Sequence, residues 1–451
     1  MSAGPLDPRP ADPHPADPLA GGAAPSPEPA LLAEPVAEAS PDEVPGAPQS
    51  RWFLTAFIAA WFGLSLVGGT IGGASIPKLF AFLDDANKGT YLSIVAAIGG
   101  IAVIVTTPLW GRLSDRTMSR WGKRRPWILF GSLVGLAGVL VLAWAGSLWV
   151  VVIGWVIGQA GYGAANAAVH ALLADQIPTR IRARVAAAAS ASGGIALIAG
   201  ALLIAELPND QQWTWFVVPG VIGTAFSLVL FFGLRDIVRT DRPAPWRWSD
   251  VLSTYWLSPR RYPDFFWAFW CRLLVTMSIV SVSTYLLFFI IDHLGVPKEE
   301  ASGVQALTLI MFTIGNIAMT LLFGWISDAT GRRKPIVWIS CLLSAAGLII
   351  AIIAPDITVF YIGIVIVGAA QGAFVSVDIA LMTEVLPTFA DAGKDLGIVS
   401  LSYQVPQLLV PITALPLLAI GGGENYTALY IAAIVYGVLG GLAVLPIRSV
   451  K

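Results

Sequence analysis

From Trp52 almost to the C-terminus the chain is a succession of long apolar runs interrupted by short polar breaks. The hydrocarbon core of a bilayer takes roughly 20 apolar residues per helix. Runs of that length recur at about 52–76, 89–111, 126–146, 149–174, 184–206, 214–234, 264–291, 302–326, 335–354, 357–383, 395–420 and 426–447. Twelve membrane-spanning helices are therefore expected. The chain is 56% hydrophobic, with 45 glycines and a mean hydropathy of +0.74. A soluble protein with that load would expose large sticky patches, so lipid is the expected solvent. The glycines suit it, because small residues let spanning helices approach closely.

Residues 1–50 break the pattern. They hold eight acidic residues against one arginine, 13 of the 31 prolines and no aromatic residue. Such a segment cannot bury enough surface to offset its ordering entropy, which makes it a disordered acidic tail. It lacks the basic start and apolar core of a secretory signal. Its net charge of −7 conceals a basic body in a chain whose formal charge is −1.

The basic residues fix an orientation. Lys78, Lys88 and Lys298 fall in the odd-numbered connections, whereas nearly all the others fall in the even-numbered ones and at the ends. By the positive-inside rule both termini are cytoplasmic, in a plasma or inner cell membrane. Several of the 17 tryptophans, such as Trp52, Trp149, Trp213 and Trp267, lie at span edges and read as interfacial anchors. Cys271 and Cys341 lie in apolar runs and read as packing residues.

The stretch GRLSDRTMSRWGKRRPW, residues 111–127, packs seven charged side chains into a chain that is only 12% charged. It has an echo in GWISDATGRRKPIV, residues 324–337. Gly111, Ser114, Asp115, Gly122, Arg124 and Pro126 match Gly324, Ser327, Asp328, Gly331, Arg333 and Pro335 when four residues are inserted in the first copy. A second echo sets ALLADQIPTR, residues 171–180, against ALMTEVLPTF, residues 380–389. The chain thus reads as two halves, 51–234 and 263–451, joined by a linker over 235–262. Contact with anionic headgroups would account for the positive charge. It would not require an aspartate after serine in both copies.

This pattern resembles the loop between helices 2 and 3 of the major facilitator superfamily. Its longer form, with Ser119 and Arg120 before Gly122, is similar to the glycoside, pentoside and hexuronide symporters and the sucrose transporters. AGKDLGIVSLSYQVPQLLVP, residues 392–411, is similar to helix 11 of bacterial members of that neighbourhood. The resemblance covers about 52–447. It implies an all-α membrane protein of two pseudo-symmetric six-helix bundles, working by alternating access. It also implies a cytoplasmic gate at Gly111, Asp115, Arg116, Gly122, Arg124, Arg125, Gly324, Asp328, Gly331, Arg332 and Arg333. Pseudo-symmetry puts Asp115 near the start of helix 11, around Asp395, and Asp328 near the start of helix 5, around Arg184. A helix N-terminus stabilises such a carboxylate. The arginines are then expected to bridge to Asp175 and Glu384.

Ionisable groups within the spans are functional candidates by default. Arg272 sits about nine residues into helix 7, roughly 13 Å deep, and Asp378 roughly 9 Å in from the same face, a similar depth that allows the two to pair. The bland account is an ion pair that staples helices 7 and 10. His170, five residues before Asp175, lies near the depth of Asp378 in the other half and can carry a proton. A histidine hydrogen-bonded at a helix interface is its simpler reading. Gln159, Asn166, Gln305, Asn316, Gln371, Tyr403, Gln404 and Gln407 can hydrogen-bond a hydroxylated solute. Each could equally bond a neighbouring helix. GGTIGG, residues 68–73, reads as a close-packing face.

A secondary transporter is therefore expected, importing a glycoside or other small polar solute with protons or sodium. The alternative within transport is an efflux carrier for amphipathic compounds, which the scarcity of deep polar residues suits. A receptor or enzyme is disfavoured by the lack of a metal-ligand cluster, nucleophile motif or phosphate-binding loop, with only three histidines. No cofactor or metal and no nucleic-acid partner is expected, since the basic loop is short and lies against the membrane. A monomer in contact with membrane lipids is expected.

Overall fold

The computed structural model describes residues 51–238, 262–385, 392–421 and 424–447. The expected tail at 1–50, most of the linker, and the side chains of Glu384 and Asp395 lie outside the described residues. Twelve helices among them are long and apolar enough to cross a membrane. In chain order they are α1 (Arg51–Leu83), α2 (Lys88–Arg116), α3 (Arg125–Ala143), α4 (Leu148–Asp175), α5 (Thr179–Glu206) and α6 (Thr214–Gly233). The second half contributes α7 (Pro263–Asp292), α8 (Lys298–Thr330), α9 (Lys334–Ile352), α10 (Ile357–Glu384), α11 (Ala392–Leu418) and α12 (Tyr426–Ala443).

The helix ends have local causes. Pro126 and Pro335 sit in the first turns of α3 and α9, where a missing N–H goes unnoticed. The Asp356 carboxylate accepts from the amides of Thr358 and Val359 at 2.8 and 3.0 Å to start α10. Gly331, at φ 61°, closes α8 by donating its N–H to the Ser327 carbonyl at 2.8 Å, in the left-handed conformation that glycine adopts without strain.

α1 departs from the expected boundary. It is α-helical over Arg51–Thr70, passes through a π-helical turn at Ile71–Ser75, and resumes over Ile76–Leu83. Pro77 has no N–H to offer the Gly73 carbonyl four residues back, so the helix crosses this point only by shifting register. The Ser75 hydroxyl, 2.7 Å from the Trp215 carbonyl, ties the turn to α6. Lys78 therefore lies inside the first span rather than in a connection. It is buried, donating to the Ile204 carbonyl at the end of α5 at 3.1 Å, with its ammonium 4.6 Å from the centre of the Trp215 ring.

Three further boundaries move functional residues. α2 and α8 run on to Arg116 and Thr330, so Asp115 and Asp328 occupy last helical turns rather than loops. α5 begins at Thr179, which places Arg184 more than a turn inside it.

The packing repeats with a shift of six helices. In the first half α3 packs on α4 and α6, α2 on α4, and α1 on α5 and α6. In the second, α9 packs on α10 and α12, α8 on α10, and α7 on α11 and α12. Two seams join the halves, α2 against α11 and α5 against α8, and each is the image of the other. The close pairs need glycine: a Cβ on Gly347 of α9 would lie 2.8 Å from the Gly363 carbonyl of α10.

Candidate functional site

The basic end, where α2 turns into α3, is built around Arg124. Its guanidinium is 4% exposed and donates from Nε to Asp175 at 2.8 Å, from Nη1 to the Ser114 hydroxyl at 2.7 Å, and from Nη2 to Asp115. Asp175 closes α4, where the helix dipole disfavours an acid. Arg124 and Lys123, the latter at 3.1 Å, compensate it. Asp236, just beyond α6, accepts from the backbone N–H groups of Arg124 and Arg125 and so caps α3. Gly122, at φ 99°, makes room for that carboxylate, which occupies the place of its missing Cβ. Arg125 reaches the Phe231 carbonyl at the end of α6 at 2.7 Å.

In the second copy Lys334, the counterpart of Arg125, donates to the Ile447 carbonyl beyond α12. In both halves the same position therefore ties the loop to the last helix. Asp328 and Arg332 are exposed, and Arg333 is half-buried. Arg116 is half-buried beside Asp115, whose side chain is 57% exposed. Of the expected bridges, Arg124 to Asp175 is made within one half, whereas Arg125 turns to α6 and Glu384 lies outside the described side chains. Gly111 and Gly324 face open space: a Cβ on either would meet no neighbour within 4 Å.

Within the membrane, Arg272 of α7, Asp378 of α10 and Tyr403 of α11 converge. Arg272 Nη2 is 3.2 Å from Asp378 Oδ2, the Tyr403 hydroxyl donates to the same oxygen at 3.4 Å, and the guanidinium lies 4.0 Å from the centre of the Tyr403 ring. Asp378 is 2% exposed, and Arg272 Nε is buried without a hydrogen-bond partner among the described residues. A buried ion pair left partly unsatisfied is a poor staple, because the desolvation of both charges offsets their attraction. His170 in the other half is exposed and stacks on Trp61 at 4.0 Å.

A cavity of about 510 Å³ lies between the halves. α1, α2, α4 and α5 wall it on one side and α7, α8 and α11 on the other. Thr70, Trp155, Gln159, Ser283, Thr284, Gln305 and Gln407 supply its polar side chains, and no charged side chain is among its lining residues. Gly68 and Gly73 face open space there, while Gly69 and Gly72 lie against Leu197 and Trp155, so only part of the glycine run serves close packing. Asn166 is exposed, and Gln371 and Gln404 are half-buried; none of the three lines the cavity. Arg272 and His170 are each eleven residues from their helix's nearest lining residue, Ser283 and Gln159, or about 16 Å along the helix.

At the opposite end a strap of charged groups joins the halves. Lys88, 2% exposed, lies 2.7 Å from Asp85, 2.7 Å from Asp292 of α7 and 3.4 Å from Glu424 before α12. Lys298 of α8 lies 2.9 Å from Asp85. Ser93 and Tyr285 share a 2.6 Å hydrogen bond one turn further in, again between halves. Glu424 adopts φ 60°, uncommon for a side-chain-bearing residue, and there accepts from the Tyr426 hydroxyl at 2.9 Å. Burial holds its carboxyl above the ordinary range, against the pull of Tyr426 and Lys88. The ammoniums of Lys88 and then Lys298 hold Asp85 below that range.

Asp236, Lys123, Asp85, Asp292 and Glu424 went unassigned in the sequence. Their signal is the rarity of charge in short connections, as in DDANKG, residues 84–89, which holds three of the chain's charged residues.

A profile described as Major Facilitator Superfamily matches residues 53–312 and 299–451. An uncharacterized MFS-type transporter of Mycobacterium tuberculosis is 22% identical over 280 residues, covering 61% of this chain and 59% of that protein. The chain thus matches about three fifths of that relative's length. A general alpha-glucoside permease of Schizosaccharomyces pombe is 32% identical over 97 residues, 22% of this chain and 17% of that one. Multidrug resistance protein MdtG of Proteus mirabilis is 23% identical over 296 residues, 62% of this chain and 68% of that one. The crystal structure of the nucleoside transporter NupG shares the fold with a TM-score of 0.66 at 15% identity, covering 89% of this chain and all of that one.

Proposed function

Because the chain belongs to the major facilitator superfamily, and is a multi-pass membrane transporter rather than an enzyme, we propose that it imports a neutral glycoside or similar polyhydroxylated solute together with protons. The cavity carries this reading. Its amides and hydroxyls match sugar hydroxyls, the Trp155 indole matches an apolar sugar face, and the lack of charge disfavours ions as cargo. Similarity to an alpha-glucoside permease supports the same substrate class.

Arg272, Asp378 and Tyr403 carry the proton. A carboxyl that can exchange its arginine for a proton changes the charge balance of α7, α10 and α11 during the cycle. With both termini cytoplasmic, the basic end is the cytoplasmic gate and the Lys88 cluster the outer one. At the outer end Lys88 and Lys298 make ion pairs between the halves. Such contacts bias the equilibrium because only one of the alternating states keeps them.

Uptake of labelled maltose, sucrose and methyl α-glucoside into proteoliposomes, with and without an inward proton gradient, tests the proposal. Accumulation that depends on the gradient is expected. Uptake of none of the three overturns the glycoside reading. The second reading, efflux of amphipathic compounds, draws on the similarity to MdtG and on the apolar wall formed by Leu92, Val95, Val103, Leu197 and Leu286. Drug hypersensitivity of a deletion strain would favour it.

A further inference from the structure

The Gly73 carbonyl is an acceptor that its own helix cannot satisfy in the usual way. The residue four positions on is Pro77, which has no N–H, and the π-helical turn at Ile71–Ser75 is where the helix absorbs that loss. A helix from the other half answers it. Gln305, two turns into α8 and 4% exposed, donates its side-chain amide to the Gly73 oxygen at 2.8 Å. Gly73 and Gln305 both line the cavity, and a Cβ on Gly73 would meet nothing within 4 Å, so the backbone at Gly73 has open space on its Cβ side. The bond thus spans the two halves at the surface where a solute would lie.

We propose that the Gly73 carbonyl is a hydroxyl-binding subsite of the cavity, at which a neutral polyhydroxylated solute donates in place of Gln305 and so uncouples α8 from α1. The inference rests on the glycoside reading given above. Exchanging an amide donor for a hydroxyl donor keeps the number of hydrogen bonds constant, so a solute can make the substitution at little net cost. A solute that engages the subsite removes a contact between halves that the empty cavity keeps, and this links binding to conformational change.

Two substitutions on opposite sides of the bond separate this role from a structural one. Gln305→Leu removes the competing donor and leaves the carbonyl open, so solute binding tightens. Pro77→Ala restores an N–H within α1 that can satisfy Gly73, so binding weakens. Binding of maltose, sucrose and methyl α-glucoside to the purified full chain is followed by tryptophan fluorescence. For whichever sugar the wild type binds best, the Kd is expected to fall about threefold to tenfold in the first variant and to rise by about the same factor in the second. If Gln305→Leu does not elute as the wild-type species, Gln305→Met repeats the test. Shifts in the same direction, or no shift, overturn the subsite while leaving the glycoside reading intact. A wild type that binds none of the three sugars removes both.

Discussion

Lys88, the first residue of α2, lies 2.7 Å from Asp292, the last residue of α7, and this contact is one of those that join the two halves of the molecule at the end opposite the basic loops. Three carboxylates, Asp85, Asp292 and Glu424, surround this lysine, which is 2% exposed, and offset the desolvation of its charge. Breaking a buried pair by removing one partner costs about 3 to 5 kcal/mol, since the remaining charges stay behind. Lys88→Gln should therefore release the strap. An impermeant maleimide applied from that side should then label Ser283→Cys, in the cavity wall, at least roughly tenfold faster. An unchanged labelling rate would remove Lys88 from the gate.

The strap should respond to pH in two opposed steps. Glu424 has a raised pKa while strapped. In the window between that value and the ordinary one of about 4.3, acid protonates the strapped form first and favours it. Asp85 is lowered while strapped, so further acid, below about pH 4, protonates the released form first and opens the strap. Spin labels at Ala86 and Glu299 should report a closed fraction that passes through a maximum on acidification. Glu424→Gln should abolish the rise and keep the fall.

At the basic end, stability and gating should separate. Arg124→Ala leaves Asp175 to Lys123 alone and Ser114 without its donor, and should lower stability by roughly 3 kcal/mol. Asp236→Ala removes the cap of α3 and should cost about 0.5 to 2 kcal/mol. Asp115→Asn touches an exposed carboxylate and should cost less than about 1 kcal/mol. Thermal unfolding in detergent gives this order. Transport by Asp115→Asn and Asp328→Asn then tests the gate, and two wild-type rates would refute it.

Asp378→Asn should keep solute exchange and lose accumulation driven by a proton gradient, because exchange needs no net proton movement. Arg272→Gln should instead impair both, since it leaves Asp378 buried without a cation. Counterflow and gradient-driven uptake in the same vesicles distinguish the outcomes. Accumulation that survives in Asp378→Asn excludes it from coupling.

Spans were the most legible feature, because lipid leaves an apolar helix no alternative over twenty residues. The pairing of Arg272 with Asp378 was legible for a related reason: two charges at similar depth have few other places to go. Helix ends were less so. Pro77 looks like a break in sequence, yet a π-turn carries α1 past it to Leu83. The polar side chains divided in a way no spacing revealed. Gln159 and Gln407 reach the cavity, whereas Gln371 and Gln404, also on spanning helices, do not. Which face of a helix meets the cavity depends on the other half, and hydropathy is nearly uniform around these helices.

Gly111 and Gly324 sit near the ends of α2 and α8 with vacant space beside them. Each costs its helix about 1 kcal/mol relative to alanine, and nothing in this conformation offsets that. On the gating proposed above, such residues are berths kept clear for a visitor, and the visitor belongs to the shape taken when the basic end closes. Alanine at either position should firm up the present shape while obstructing the next. A protein that moves thus carries, inside one structure, the footprint of another.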